Sequence, residues 1–188
     1  MRSVAVYCSS SDRLPAVTLA LAHDLGHLLG SRRIRLVYGG GARGLMGIVA
    51  SAAHAAGGEV EGFMLNALRE REGANVAIGA LRFVSTLGER KRLMSEAAEA
   101  VIALPGGIGT LDELTEVLTQ DDIGAASKPV CLCDADGFWD SFAQMIEGFD
   151  AYGVIRAGLH DNLFHERGAV AALERCAQAI RMRAAAAA

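Results

Sequence analysis

The sequence has few of the features that mark nucleic-acid-binding, membrane or secreted proteins. Its 188 residues carry a formal net charge of −4, without the clustered basic excess that nucleic-acid binders usually show. No apolar run approaches the roughly 20 residues of a membrane span. Met1 leads directly into a strand-like segment instead of a cleavable signal peptide. We therefore expect a cytoplasmic protein that uses neither a nucleic acid nor a membrane as its partner.

Cysteine is also scarce, which argues against a disulfide framework or a zinc site. The four cysteines are Cys8, Cys131, Cys133 and Cys176, and none has paired-knuckle spacing. Cys131 and Cys133 lie two apart in an apolar run and so share one face of a predicted strand. His23 and His27 lie one helical turn apart, but no third ligand accompanies them. We expect buried reduced thiols and a solvated pair of histidines, with no metal and no cofactor.

Prolines number only three and no linker interrupts the chain, which predicts one domain over residues 1–183 and an alanine-rich tail at 184–188. Short apolar runs alternate with amphipathic segments. Strands are predicted at Val4–Tyr7, Ile34–Tyr38, Val60–Phe63, Leu81–Val84, Val101–Leu104 and Pro129–Cys133. Helices are predicted at Pro15–Leu29, Leu45–Ala56, Leu87–Ala98, Leu111–Leu118, Phe138–Phe149 and Ala169–Met182. This alternation predicts an α/β fold, a Rossmann-like open parallel sheet flanked by helices on both faces.

Two glycine-rich loops each follow a strand and precede a helix. The first is Tyr38–Gly47 and the second is Leu104–Thr110. Such loops bring backbone N–H groups and a helix N-terminus to a ligand, which favours phosphate, although glycines also serve only to tighten turns. Neither loop is a Walker motif, and neither matches the dinucleotide fingerprint with its ribose-binding acid. The long irregular segment Met64–Gly79 is predicted as a loop over the sheet edge with a functional role.

Glu113, Arg90 and Lys91 each allow a structural and a functional interpretation. Thr110 and Glu113 have the spacing of a capping box, with Thr110 as the N-cap. Arg90 and Lys91 lie on or beside the apolar stripe of their helix, so a buried cation there needs an anionic partner. A structural ion pair, with Glu113 as one candidate partner, and substrate binding explain this placement equally well.

The motifs resemble those of the LONELY GUY (LOG) family of cytokinin riboside 5′-monophosphate phosphoribohydrolases. The family pattern Pro-Gly-Gly-x-Gly-Thr-x-x-Glu matches Pro105–Glu113, and the upstream Arg-Lys-x-x-Met matches residues 90–94. The resemblance also takes in Cys8-Ser9-Ser10, the first glycine loop and 56–60. The chain departs from the family pattern at Gly88, Glu99, Ile108 and Asp121-Asp122. These differences leave its preference for cytokinin-type bases open.

The resemblance implies a Rossmann-like homodimer that cleaves AMP or N6-modified AMP to free base and ribose 5-phosphate, without a metal or cofactor. Glu113 and Arg90 would be catalytic. Glu113 would deprotonate the attacking water, and Arg90 would keep the Glu113 carboxylate ionised. The expected substrate-binding residues are Ser9, Gly40, Gly41, Met46, Glu72, Lys91, Gly106, Gly107, Ile108, Gly109, Thr110, Leu111, Asp112 and Thr119.

Two other functions remain open from the sequence. The same loops would serve a non-catalytic carrier or sensor of a phosphorylated ligand. Some relatives bear the label lysine decarboxylase, but a pyridoxal phosphate enzyme needs a Schiff-base lysine. Only Lys91 and Lys128 exist here, so that label fits poorly. Val117 shares a helix face with Glu113, and we take it as a weak hint that a second subunit covers this side.

Overall fold

The computed structural model describes residues 1–156 and 158–186, which form one seven-stranded parallel sheet between two layers of helices. The strands are β1 (Ser3–Tyr7), β2 (Arg35–Tyr38), β3 (Val60–Leu65), β4 (Ala80–Val84), β5 (Ala100–Ala103), β6 (Val130–Asp134) and β7 (Leu163–Arg167). The helices are α1 (Ala16–Ser31), α2 (Gly44–Ala55), α3 (Arg69–Glu72), α4 (Leu87–Glu96), α5 (Ile108–Asp122), α6 (Asp140–Tyr152) and α7 (Ala169–Ala186). The predicted fold class is confirmed.

The strand order places the carboxyl ends of β1 and β5 at the centre of the sheet. The order is β4-β3-β2-β1-β5-β6-β7, and Val4 of β1 pairs with Leu36 on one side and Ala100 on the other. The chain therefore winds outward from β1 in one direction and then returns to wind in the other. Ligands of open parallel sheets bind at such a reversal, beyond the carboxyl ends of the strands.

Successive side chains of the central strands supply two separate hydrophobic cores. Val4 and Val6 of β1 face the core under α1, α2 and α7. Ala5 and Tyr7 face the core under α4, α5 and α6. Helices α1 and α2 can approach closely because Gly26 of α1 has no Cβ. A Cβ at this position would lie only 2.4 Å from a carbonyl oxygen of α2. Both faces of the sheet are thus covered, and the open end at the carboxyl edge is left for a site.

Two elements were not predicted. Strand β7 was missed because Leu163–Arg167 mixes apolar and charged residues and its side chains are only partly buried or exposed, as suits an edge strand. Helix α3 is a four-residue element inside the segment predicted as a loop, and β3 itself runs on to Leu65. The first part of the alanine-rich tail continues α7 as far as Ala186.

The capping-box interpretation of Thr110 is wrong. Helix α5 begins at Ile108 with Gly107 as its N-cap, so Thr110 lies inside the first turn and caps nothing. A true N-cap occurs at α4, where the Thr86 hydroxyl accepts a hydrogen bond from the Glu89 N–H at 3.1 Å. The Glu89 carboxylate in turn accepts from the Ser85 N–H at 2.9 Å. Glu113 is therefore free of a capping role.

The predictions for the cysteines and for Trp139 are confirmed. All four thiols are buried and unpaired, with Cys131 and Cys133 on the same side of β6. Trp139, expected to serve packing, is 1% exposed and donates from its indole N–H to the Ala103 carbonyl. His23 and His27 are exposed, as expected. Within the described residues, no helix has the length and apolar character needed to cross a membrane.

Candidate functional site

A cleft of about 480 Å³ opens beyond the carboxyl ends of β1, β3 and β5. Its walls come from the loop after β1, the segment around α3, the start of α4 and the first turns of α5. The lining residues are Cys8, Ser9, Ser10, Ser11, Met46, Leu65, Leu68, Arg71, Glu72, Leu87, Arg90, Lys91, Gly107, Gly109, Thr110, Asp112 and Glu113. A groove of about 700 Å³ beside α1 and α2 is larger, but none of the buried charged side chains lines it. The smaller cleft is therefore the candidate functional site.

The serine loop after β1 holds both glycine loops in place. The Ser9 N–H donates to the Pro105 carbonyl at 3.2 Å, and the Ser9 carbonyl accepts from the Leu45 N–H at 3.0 Å. Gly44 has φ of +55°, and a Cβ there would lie 2.5 Å from the Ser11 carbonyl oxygen. Only glycine fits this contact. The first glycine loop can therefore close onto the serine loop, so that both meet the cleft.

The N-terminus of α5 presents open backbone to the cleft. Gly107 and Gly109 both line it, and a Cβ on either would meet no atom within 4 Å. The first N–H groups of a helix have no partner within the helix, and the helix dipole favours an anion beside them. Thr110 is 4% exposed and fills the space beside Gly106. This turn is suited to a phosphate group.

Arg90 is a buried cation held by the backbone of two strands and their loops. It is 4% exposed, donates from Nε to the Phe63 carbonyl and from Nη2 to the Gly39 carbonyl, both at 2.8 Å. Its Nη1 lies 3.4 Å from Glu113 Oε1, which is long for a hydrogen bond. Arg90 thus joins the ends of β2 and β3 to α5 and leaves donor capacity on the cleft side.

Glu113 is a buried carboxyl whose pKa is raised to about 7, chiefly by its burial. The charge of Arg90 lowers this pKa and those of Glu72 and Asp112 raise it. Arg90 thus favours the ionised form of Glu113, as expected, but burial outweighs the attraction of the guanidinium. At neutral pH the carboxyl exists in both protonation states, which suits a group that exchanges protons with a ligand.

Glu72 brings a second buried carboxyl to the same cleft. It is 5% exposed, and its Oε2 has no hydrogen-bond partner among the described residues. Its Oε1 lies 3.4 Å from the Ser10 hydroxyl and 3.6 Å from a guanidinium nitrogen of the exposed Arg71. A carboxylate can only accept hydrogen bonds, and the described residues offer this oxygen no donor.

Lys91 lines the cleft while two acids of α5 hold its ammonium group. Its Nζ lies 2.8 Å from Asp112 Oδ1 and 2.7 Å from Glu116 Oε2. Burial opposes the charge, but these two hydrogen bonds raise the pKa of Lys91 above its usual value. Lys91 is thus a fixed cation, and one ammonium hydrogen remains for a ligand.

The cleft brings together ten of the predicted site residues and leaves six outside its lining. Inside are Ser9, Met46, Glu72, Arg90, Lys91, Gly107, Gly109, Thr110, Asp112 and Glu113. Gly40, Gly41 and Gly106 pack behind its walls. Ile108 is 82% exposed beside it, and Leu111 packs against the core. Thr119 lines a separate shallow groove on the outer face of α5.

Several lining residues were missed by the sequence reasoning. Ser10 and Ser11 follow the predicted Ser9 directly, and their hydroxyl-rich run was a usable signal. Burial raises the pKa of the Cys8 thiol strongly, with the Glu113 charge as the next cause, so Cys8 is a neutral part of the cleft wall. Leu65, Leu68 and Leu87 give the cleft apolar surface, which no spacing pattern in the sequence indicated.

A second cluster of ligand-type side chains serves the fold. Asp134, Asp140 and His165 have oxygen and nitrogen atoms within 4.8 Å of one another. Arg167 contacts both aspartates, and the Asp134 carboxylate also accepts from the backbone of Gly137 and Trp139. The guanidinium fills the place of a cation, so this cluster fixes the entry to α6.

Comparisons with known proteins show the family of this chain. A family model described as "Possible lysine decarboxylase" matches residues 46–176. The chain is 45% identical over 146 residues to the cytokinin riboside 5′-monophosphate phosphoribohydrolase LOG of Oryza sativa subsp. japonica, covering 78% of this chain and 60% of that protein. It is 43% identical to LOG2 of Arabidopsis thaliana, covering 78% and 68%. The chain belongs to the LOG family.

Solved structures share the fold at lower identity. A molybdenum cofactor carrier protein from Chlamydomonas reinhardtii superimposes with a TM-score of 0.72 at 18% identity, covering 96% of this chain and 98% of that one. The molybdenum cofactor binding protein from Rippkaea orientalis gives 0.69 at 20% identity, covering 96% of each chain. These likenesses concern the architecture alone.

The lysines of this LOG-family chain do not fit pyridoxal phosphate, the cofactor that a lysine decarboxylase would use. A Schiff-base lysine needs a neutral amine, favoured by a lowered pKa. Lys91 is paired with two carboxylates that raise its pKa. Burial lowers the pKa of Lys128, but its ammonium group donates to the Ser95 and Ala98 carbonyls, and the residue does not line the cleft. Neither lysine supports that chemistry.

Proposed function

We propose that this protein hydrolyses the N-glycosidic bond of a nucleoside 5′-monophosphate, AMP or N6-modified AMP, to free base and ribose 5-phosphate. The observation that carries the proposal is the buried Arg90–Glu113 pair, 3.4 Å apart, beside the open N-terminus of α5. The matched relatives named phosphoribohydrolases support it, although the chain spans only 60% of the rice protein and 68% of the Arabidopsis one.

The substrate phosphate would lie against the backbone of Gly107 and Gly109, beside Thr110. Glu113 follows one helical turn later, so its carboxyl would face the sugar and not the phosphate. A negative phosphate in direct contact with this acid would be repelled, whereas a ribosyl group that loses its base becomes positive. The order phosphate, sugar, base along the cleft therefore suits the charges present.

Glu113 and Arg90 would act at the sugar. Cleavage of a glycosidic bond passes through an oxocarbenium-like state, which a nearby carboxylate or buried acceptor stabilises. A carboxyl with a pKa of about 7 can transfer a proton near neutral pH. Arg90 would orient ligand oxygens with the N–H groups that its two backbone bonds leave unused. The remote phosphate contacts would supply binding energy for this orientation.

A product assay tests this function directly. Incubation with AMP, and separately with N6-isopentenyl-AMP, should release ribose 5-phosphate and free base, and Glu113→Gln should lower turnover by roughly 10²–10⁴-fold. The control is Glu147→Gln, a surface acid of α6 remote from the cleft. Tight AMP binding without any product would instead make the protein a carrier or sensor.

We also propose a homodimer in the cytoplasm. Thr119, matched to a nucleotide-binding position of the family, lies outside the cleft of its own chain, so it would reach a nucleotide only in a second copy. The hint drawn from Val117 is wrong, because Val117 is 3% exposed and packs in the core of its own chain. Sedimentation should give twice the 19.7 kDa chain mass, and a monomer would contradict the dimer.

The cytoplasm is proposed from the cysteines, because four unpaired buried thiols suit a reducing compartment.

A further inference from the structure

Glu72 is the buried acid for which the proposed function has no task. Glu72 lines the cleft, and its buried Oε2 has no hydrogen-bond partner among the described residues. Leaving a buried polar atom unpaired is destabilising. Such an atom in a cleft is explained when a ligand or a bound water donates to it.

The backbone around Glu72 is fixed, so this oxygen has a defined position. The Ala42 N–H donates to the Gly73 carbonyl at 2.9 Å, and the Asn75 N–H donates to the Gly40 carbonyl at 3.0 Å. The segment thus pairs with the first glycine loop at Glu72 and directly after it, since the Ala42 N–H also lies 3.2 Å from the Glu72 carbonyl oxygen. The Ser10 hydroxyl and the Arg71 guanidinium contact Oε1.

Glu113 is buried among charged and titratable groups from several elements. Its own helix contributes Asp112, α4 contributes Arg90 and Lys91, α3 contributes Glu72, and β1 ends beside it at Tyr7 and Cys8. Burial is the largest influence on its pKa and outweighs both cations. A substrate phosphate at the N-terminus of α5 would add further negative charge one turn away. Like charges disfavour ionisation, so substrate binding itself favours the protonated carboxyl.

We propose that Glu72 accepts the proton of the attacking water and that Glu113 donates a proton to the departing base. This inference rests on the proposed function. Water forms a bond to C1′ and gives one proton to Glu72. The bond from C1′ to the base nitrogen breaks, its electron pair goes to the base, and the base takes the Glu113 proton. Solvent then returns Glu72 to its ionised form and Glu113 to its protonated form.

The inference reverses the proton transfer expected of Glu113 from the sequence. Two carboxyls in different environments divide acid and base roles in many enzymes that cleave glycosidic bonds. Here Glu72 has a vacant acceptor atom and Glu113 has the proton. Arg90 then orients Glu113 and the sugar, and it has no need to ionise the carboxyl.

A pH profile distinguishes the two directions of transfer. If Glu113 is the acid, kcat/KM for AMP falls as pH rises above about 7, and Glu113→Gln removes that fall along with most of the activity. If kcat/KM instead rises through pH 7 and stays high, Glu113 works in its ionised form and the assignment is overturned. This measurement needs only the substrate of the proposed function.

A substrate with an activated leaving group provides the second test. AMP methylated at N7 releases its base as a neutral molecule without added protonation. Glu113→Gln should therefore lose roughly 10²–10⁴-fold on AMP and far less on the methylated nucleotide. Glu72→Gln should lose a similar factor on both. An equal loss on both substrates in Glu113→Gln, or full AMP turnover in Glu72→Gln, overturns the inference.

Controls separate this inference from its foundation. Glu70→Gln alters an exposed acid on the same short helix as Glu72 and should retain full turnover of both substrates. Thermal unfolding establishes that each variant folds. If the native protein cleaves AMP but the variants disobey the pattern above, only the roles of the two acids are wrong. If the native protein yields no ribose 5-phosphate from AMP or N6-isopentenyl-AMP, the proposed function itself fails.

Discussion

Arg90 Nη2 donates to the carbonyl oxygen of Gly39 at 2.8 Å, and this bond makes the proposed catalytic arginine a structural residue as well. The same guanidinium donates a hydrogen bond to the Phe63 carbonyl of β3 and lies beside Glu113 of α5. One buried side chain therefore fixes two strand ends and the acid that works beside it. Stability and activity should respond together when it is changed.

Arg90→Leu should lower the free energy of unfolding by about 3 kcal/mol, since it leaves two buried carbonyls without donors and removes a buried charge partner. Arg90→Lys should recover only part of this loss, because an ammonium cannot reproduce the planar fork. Chemical denaturation measures both. Arg92→Leu, on the exposed side of the same helix with a partner at Glu96, should change stability by no more than about 0.5 kcal/mol. An Arg90→Leu variant as stable as Arg92→Leu would refute the structural role.

Glu113 should make the fold less stable as pH rises. Its pKa is about 7 in the folded chain against a model-compound value of 4.5, so the folded state holds the proton more tightly. Between these values stability falls with increasing pH, and the full loss is present above pH 7. Glu113→Gln should therefore be more stable than the native protein at pH 8, by on the order of 3 kcal/mol, and nearly equal to it at pH 4.5. Denaturant titrations at both pH values test this, and a less stable variant at pH 8 would contradict it.

Two glycine substitutions should separate folding from ligand binding. Gly44→Ala places a Cβ 2.5 Å from the Ser11 carbonyl oxygen at φ of +55°, and should cost about 1–3 kcal/mol of stability. Gly109→Ala meets no atom within 4 Å and adds a better helix former, so its Tm should hold or rise. Its methyl group faces the cleft, however, and AMP turnover should fall. Full activity in Gly109→Ala would argue against a phosphate seat at this turn.

Asp121 should stabilise the fold through its two side-chain partners. It is 2% exposed and accepts from Arg156 at 2.9 Å and from the Asn162 side chain at 2.7 Å. Asp121→Ala should lower the unfolding free energy by about 1–3 kcal/mol, because both donors lose their acceptor. Turnover of AMP, measured well below the melting temperature, should be unchanged since the residue lies outside the cleft. Unaltered stability would show that these bonds merely replace bonds to water.

The sequence predicted the fold well because its signals are local. Apolar runs such as Val101–Leu104 are buried on both faces and reveal parallel strands without further information. The edge strand β7 carries no such run, since water covers one side of it, and its pairing with β6 depends on distant residues. Helix α3 is too short for any period to appear.

The site was predictable in its membership and less so in its electrostatics. The glycine motifs and Arg90 mark the cleft from sequence, because each has an unusual residue type for its position. The protonation of Glu113 depends on burial by elements far apart in the chain, and no spacing rule contains that quantity. The Thr110 cap failed for a related reason: the helix begins at Ile108, and local spacing alone could not place that boundary.

The acid Glu72 comes from the connection between β3 and β4, not from a core helix. That connection contacts the first glycine loop through backbone hydrogen bonds donated by Ala42 and Asn75. Arg90 and Glu113 instead belong to helices packed on the sheet. Lengthening or rewriting residues 66–71 would therefore reshape one side of the cleft and leave the sheet intact. Under the proposed function, one of the two acids would therefore depend on a surface segment that can change freely, whereas Arg90 and Glu113 depend on helices that the sheet holds in place.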